Sequence, residues 1–211
     1  MSTSLVTGKV RLSYVNLFEP RAPLNGGDPK YSVTVMLPKT DAATYQIIQA
    51  ALNEATQDGV AKKWGGRMPA KLDVPIHDGD GVRPNGEPFG EECRGCWVFT
   101  ASGKQQPGIV DQRVQPILDS TQVYSGIYAH VDVNFYPYDA AGKRGIGIGL
   151  NNVQKVADGE ALSGRRAASA VFAPVADAGA AFQPQQPTQA YRPQPQQPQP
   201  QPGVQNYPGM L

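Results

Sequence analysis

Tyr124-Ser-Gly-Ile-Tyr-Ala-His-Val-Asp-Val-Asn-Phe-Tyr-Pro-Tyr138 is the stretch on which the fold turns. It alternates with period two, so it reads as a strand. Ile127, Ala129, Val131, Val133 and Phe135 share one side and form the core face. Tyr124, Tyr128, His130, Asn134 and Tyr136 share the other. That outer face mixes flat rings with hydrogen-bonding groups, a surface suited to stacking on nucleotide bases whatever their sequence. Cross-strand aromatic packing on a sheet would use the same residues, so the remainder of the chain has to decide between the two.

Five strands and one helix emerge outward from this stretch. Gly8 to Phe18 alternates, with Val10, Leu12 and Tyr14 on one face; Tyr31, Val33, Val35 and Leu37 give a second strand ended by Pro38. The turn-rich Pro20 to Pro29 joins them as a long hairpin loop. Thr40 is the expected N-cap of a helix that Gly59 would close, with Tyr45, Ile48, Leu52 and Ala55 on its apolar face. Val60 to Arg94 shows no period, and a loop that long in a compact domain is functional or hides short elements. Trp97, Phe99 and Ala101 mark a third strand, and the quoted stretch is the fourth. Arg144 to Asn151 is the fifth, with Ile146, Ile148 and Leu150 inward and Gly145, Gly147 and Gly149 outward. If the last two strands pair across Asp139 to Gly142, this glycine lane lies beside Tyr128 and Tyr136, either open to a ligand or covered by the tyrosines.

The expected fold is therefore mainly β with one α-helix: a five-stranded Greek-key barrel of the OB type with long loops. A β-sandwich is the competing architecture. From Gln183 to Leu211 the chain holds ten Gln, eight Pro and a single charge, Arg192. Such a segment cannot bury a core and reads as disordered with polyproline character. Residues 1–166 are assigned to the barrel and 167–211 to an Ala/Pro/Gln-rich tail.

Net charge is +1, so any electrostatic footprint has to be local. No stretch is apolar for the length of a membrane span, and no signal peptide opens the chain. A soluble protein of the reducing cytoplasm is expected. Cys93 and Cys96 form half of a zinc site, but His77 and His130 are the only histidines and stand far apart. Asp78-Gly-Asp-Gly81 lacks the remainder of a calcium loop and reads as a polar turn. No cofactor or nucleophile motif is present. A nuclease built on Asp78, Asp80, Glu91 and Glu92 would place its carboxylates in turns, where solvated charge is the simpler reading. No metal, cofactor or catalytic residue is assigned.

Cations recur beside rings. Lys62, Lys63 and Arg67 flank Trp64; Lys104 and Arg113 flank a turn-rich loop; Lys143 and Arg144 follow Tyr136 and Tyr138; Arg165 and Arg166 close the domain. Cations meet phosphates and rings meet bases.

Several motifs together carry a family resemblance. They are Arg11-Leu-Ser-Tyr-Val-Asn-Leu-Phe18, Pro29-Lys-Tyr-Ser32, Lys63-Trp-Gly65, Asp78-Gly-Asp80, Gln115-Pro-Ile117, Tyr124-Ser-Gly-Ile-Tyr-Ala129, Asn134-Phe-Tyr136, Gly149-Leu-Asn-Asn-Val-Gln154 and Asp158-Gly-Glu160. In this order they resemble a phage-type family of single-stranded-DNA-binding proteins. The resemblance implies an OB-fold that coats exposed single strands during phage DNA replication or recombination, with self-association and cooperative coating by the same analogy. The C-x-x-C pair is not part of that pattern. The tail also departs from the acidic tails by which single-strand binders recruit replication proteins, so recruitment here would use polyproline or apolar contacts.

The reading is a sequence-tolerant single-stranded-DNA-binding protein, not an enzyme. Tyr14, Trp64, Tyr128 and Tyr136 are expected to stack on bases. Lys62, Lys63, Arg67, Arg113, Lys143 and Arg144 are expected to contact phosphates. A phage structural or decoration protein with a β-sandwich fold is the alternative, and a metal-dependent nuclease the third reading.

Overall fold

The computed structural model describes residues 3–22, 26–140 and 142–162. Eight strands and one long helix follow in the order β1 (Ser4–Val6), β2 (Val10–Arg21), β3 (Lys30–Pro38), α1 (Ala42–Lys62), β4 (Ile76–Asp78), β5 (Cys96–Gly103), β6 (Gly108–Val110), β7 (Tyr128–Ala140) and β8 (Lys143–Ala157). The five expected strands are the five long ones. The three that were not foreseen, β1, β4 and β6, have three residues each, too few to show a period.

The long strands close on themselves. β2 pairs with β3, β3 with β5, β5 with β8, β8 with β7, and β7 returns to β2. All of these contacts are antiparallel except β5–β8. In barrel numbering the circuit runs first, second, third, fifth, fourth and first again, the order of an OB-type Greek-key barrel. The parallel β5–β8 contact is confined to Ser102 opposite Gly149. Below it the seam is filled by the segment leading into β4. Asp73 bridges to Gly145 of β8, and Ile76, His77 and Asp78 pair with Phe99, Val98 and Trp97 of β5.

The core follows the alternation. Ile127, Ala129, Val131, Val133 and Phe135 from the β7 side meet Ile146, Ile148 and Leu150 of β8, and all are buried. Helix α1 packs Ile48, Leu52 and Ala55 into the same core. Its ends differ from expectation. Asp41, not Thr40, is the N-cap, accepting from Thr44 N at 3.0 Å and from the Thr44 hydroxyl at 2.7 Å. A carboxylate at this position also meets the helix dipole favourably. Gly59 does not end the helix. It is buried inside the last turns, where a Cβ would stand 2.5 Å from Cη2 of Trp64. The missing side chain is what lets the indole close over the helix. The boundary expected at Arg166, Arg165 beside it, and the Pro/Gln-rich tail lie outside the described residues.

Candidate nucleic-acid interface

β2 carries one extra residue relative to β3. Ser13 faces Thr34, yet Asn16 faces Ser32, so a bulge lies between. Tyr14 occupies it with φ +46°, a left-handed conformation that is uncommon outside glycine. The Asn16 amide steadies the bulge by donating to Tyr14 O at 3.0 Å and to the Ser32 hydroxyl at 3.2 Å. The bulge turns the Tyr14 ring outward, 61% exposed.

That ring rims a groove of about 620 Å³ on the outer face of β2, β3 and β5. Ser13, Thr34 and Thr100 form the hydroxyl floor, and the Thr34 and Thr100 hydroxyls are hydrogen bonded at 3.2 Å. The far wall is β4 and the segment between it and β5, with His77 on the strand and Arg83, Phe89 and Glu92 after it. The His77 and Phe89 ring centroids are 6.2 Å apart, and the Arg83 guanidinium lies 5.3 Å from the Phe89 centroid. Hydroxyls below, rings at both sides and a cation over one ring can hold a flat heterocycle and the charge attached to it.

The groove adjoins the β7–β8 hairpin through Asp73. This residue lines the groove, donates its backbone N–H to Arg144 O at 3.1 Å, and accepts from the Tyr138 hydroxyl on Oδ2 at 2.8 Å. Burial, and then the Asp73 carboxylate, push the Tyr138 phenol up to about 12. Tyr136 stands opposite Gly147 and Tyr138 opposite Gly145. A Cβ on Gly147 would meet the Tyr136 ring at 2.6–2.8 Å. The glycine lane is therefore a seat for tyrosines rather than an open track. Tyr136 still shows 41% of its surface to solvent. Lys143 and Arg144 sit exposed at the start of β8, and Arg144 Nε donates to Asp139 at 2.8 Å.

Not all of the expected residues gather here. Trp64 is a correction: it is 2% exposed, packed in the barrel core, with its indole N–H donating to Tyr138 O at 3.0 Å. A ring with neither face open cannot stack on a base. Its flanking cations are exposed, Lys62 on the last turn of α1, where it pairs with Asp58 at 3.0 Å, and Lys63 and Arg67 beyond it. Tyr128 is also not beside the glycine lane. It faces Ala157, eight residues along β7 from Tyr136, or roughly 26 Å at strand rise. The Lys9 ammonium already lies 4.8 Å from its ring centroid. Arg113 belongs to that distant end as well. It sits exposed in a turn organised by Asp111, whose carboxylate accepts from Arg113 N and Gln115 N at 2.8 Å each. The adjoining Gln112 amide donates to Val156 O.

His77, Arg83, Phe89 and Glu92 are not among the expected DNA contacts; the sequence offers His77 only as a zinc ligand and Glu92 only as a nuclease carboxylate. The signal was the length of the aperiodic segment after Val60, which marked a region without marking its residues. Within the same segment, Asp78 and Asp80 are occupied by Lys39, whose ammonium is 2.5 and 2.7 Å from their carboxylates. Hydrogen bonding to that lysine holds both acids below the usual carboxylate range and raises Lys39. Lys39 in turn lies 5.0 Å from the Trp97 centroid, and Tyr45 stacks on that ring at 4.5 Å. Cys93 packs with Met36 and Val98 in a second apolar cluster. Burial pushes both thiols, Cys93 and Cys96, up.

Comparison with known proteins places this geometry among phage proteins. Residues 3–182 match the family described as Enterobacter phage Enc34, ssDNA-binding protein. Protein p50 of Acyrthosiphon pisum secondary endosymbiont phage 1 is 30% identical over 170 residues, covering 76% of this chain and 86% of its own. The single-stranded DNA-binding protein from bacteriophage Enc34, solved in complex with ssDNA, is 25% identical with a TM-score of 0.66 over 76% of this chain and 90% of that one. The fold is shared with gp2.5, a single-stranded DNA-binding protein encoded by bacteriophage T7, at 13% identity and a TM-score of 0.55 over 78% and 97% of the two chains.

Proposed function

The chain belongs to the family of the Enterobacter phage Enc34 ssDNA-binding protein, and from that premise we propose that it binds single-stranded DNA and does not cleave it. It coats and protects exposed strands during phage DNA replication or recombination, in the host cytoplasm. The observation that carries this reading is the groove on the outer face of β3 and β5, continuous through Asp73 with the β7–β8 hairpin. β3 and β5 are the second and third barrel strands, and the hairpin is the loop between the fourth and fifth. In OB barrels these are the surfaces on which oligonucleotides lie.

Tyr14, His77, Phe89 and Tyr136 supply ring faces; Arg83, Lys143 and Arg144 supply charge for phosphates. Lys62, Lys63 and Arg67, beside the hairpin end, extend the cationic track. Arg113 and Tyr128, at the far end of β7, serve a strand long enough to wrap the barrel. Residues 1–166 are the binding domain. The tail 167–211 is the segment through which replication or recombination proteins are recruited, and self-association along the strand completes the coating.

Removing one stacking ring costs about 1–3 kcal/mol. Tyr14→Ala or Tyr136→Ala should therefore weaken oligo(dT) binding about five-fold or more. Tyr128→Ala should cost less, because Lys9 already covers that ring. The deciding experiment is fluorescence anisotropy of labelled oligo(dT), a mixed-sequence single strand and the matching duplex, at two salt concentrations, with and without magnesium, followed by a gel. Tight binding of both single strands, weak duplex binding and intact DNA support the proposal. No binding at low salt would move the assignment to a structural phage protein, and cleavage with magnesium to a nuclease.

A further inference from the structure

Glu92 is an odd residue to find in a groove built to lie along a polyanion. It lines the groove beside Phe89, it is half-buried, and among the described residues no hydrogen bond or ion pair engages its carboxylate. Its neighbour Glu91 is different, pairing loosely with Arg94 at 3.5 Å while 88% of its side chain faces solvent. The Glu92 carboxylate is folded back over Gly90. A Cβ there would stand 2.2 Å from Oε2 and 2.4 Å from Oε1, so the absence of a side chain at Gly90 is what admits it. The result is an acceptor-only group in the groove wall that also carries Phe89, in the same groove as Asp73 and the Thr34 and Thr100 hydroxyls.

A carboxylate repels phosphate, so its use in such a place is to read the edge of a base. Cytosine and adenine present an exocyclic amine there, and guanine an amine with an adjacent ring N–H. Each donates to a carboxylate. Thymine offers one ring N–H between two carbonyl oxygens, and those oxygens face the negative charge unfavourably. We infer that Glu92 makes this groove select a base bearing an exocyclic amine over thymine, so that one nucleotide position on an otherwise sequence-tolerant strand is read. The inference rests on the single-strand-binding function proposed above and assigns its specificity-determining residue.

The test compares the affinities of oligo(dC), oligo(dA) and oligo(dT) of equal length by anisotropy at fixed salt. The preference is expressed as the ratio of the oligo(dT) Kd to the oligo(dC) or oligo(dA) Kd. Three variants accompany the wild type. Glu92→Gln removes the charge in place. Gly90→Ala keeps the charge but displaces it. Its backbone, at φ −65° and ψ 160°, accepts any residue, and the clash is with the end of a flexible side chain. Glu91→Gln makes the same change in charge outside the groove. The wild type should prefer the amine-bearing strands about five-fold. Glu92→Gln and Gly90→Ala should bring the ratio near one, and Glu91→Gln should leave it as in the wild type. Equal wild-type affinities for all three strands, or a ratio that survives Glu92→Gln, would overturn the inference while leaving single-strand binding intact. Failure of every strand to bind would overturn both.

Discussion

Replacing Trp64 by alanine should unfold this barrel more readily without touching its affinity for DNA, and the size of the effect follows from what surrounds the indole. The ring is 2% exposed in the main core, covers Gly59, and donates its N–H to Tyr138 O at 3.0 Å. Truncation of a buried tryptophan to alanine costs about 3–5 kcal/mol, and loss of the hydrogen bond adds about 1 kcal/mol. At roughly 2–4 °C per kcal/mol for a domain of this size, the melting temperature should fall by about 8–24 °C. Trp64→Phe keeps most of the volume and should lose only about 1–2 kcal/mol. Gly59 supplies an internal check. In the wild type, Gly59→Ala drives a methyl into the indole and should destabilise. In the Trp64→Ala background that space is free, and the same change should stabilise by about 1 kcal/mol through helix propensity. Thermal unfolding by circular dichroism of the four proteins forms a double-mutant cycle in which the sign of one substitution reverses. Anisotropy below the transition should give oligo(dT) affinities within about two-fold of the wild type, a difference of less than about 0.5 kcal/mol. An unchanged melting temperature with a five-fold loss of binding would mean that the indole works at the surface, and the reasoning from burial would be refuted.

Three other outcomes are expected. Tyr14→Gly removes an exposed ring and relieves a left-handed non-glycine residue. It should raise stability by up to about 1 kcal/mol in a denaturant titration while weakening oligo(dT) binding; loss of both would mean that the ring packs rather than binds. Lys143→Ala should reduce the slope of log affinity against log salt by about 0.7, the value for one phosphate contact on a single strand, and an unchanged slope removes Lys143 from the interface. Tyr138 has its phenol raised to about 12. A group whose folded value lies above its unfolded one stabilises fully below the unfolded value, near 10, and loses that contribution as the pH rises toward 12. Melting curves should show a steeper alkaline decline in the wild type than in Tyr138→Phe between about pH 10 and 12; parallel curves would refute the assignment.

Much of the barrel was legible because its long strands obey a local rule. Leading into and along β7, every second residue from Ile127 to Phe135 is apolar, and burial follows that alternation one residue at a time. The same rule located β8 and its row of glycines. It also placed Tyr136 and Lys143 on the surface, since neither position can turn inward without breaking the period. β1, β4 and β6 escaped because three residues carry no period, and Asp41 displaced Thr40 as N-cap because either side chain could have served.

The site depended on contacts between residues distant in sequence. A one-residue bulge, visible only as a register shift between β2 and β3, decided that Tyr14 points outward. Trp64 and its flanking lysines look in sequence like a nucleic-acid patch. Whether an aromatic residue faces water or the core depends on what lies across from it, here Gly59 five residues before it and Tyr138 seventy-four residues after. His77, Arg83, Phe89 and Glu92 come from a segment without periodicity, and they meet Tyr14 only because β4 completes the seam that β5 and β8 leave open. The sequence by itself determined which faces of the strands are apolar, because alternation is written residue by residue. Tertiary structure alone decided which rings share a groove, because that depends on the closure of the barrel and the packing across it.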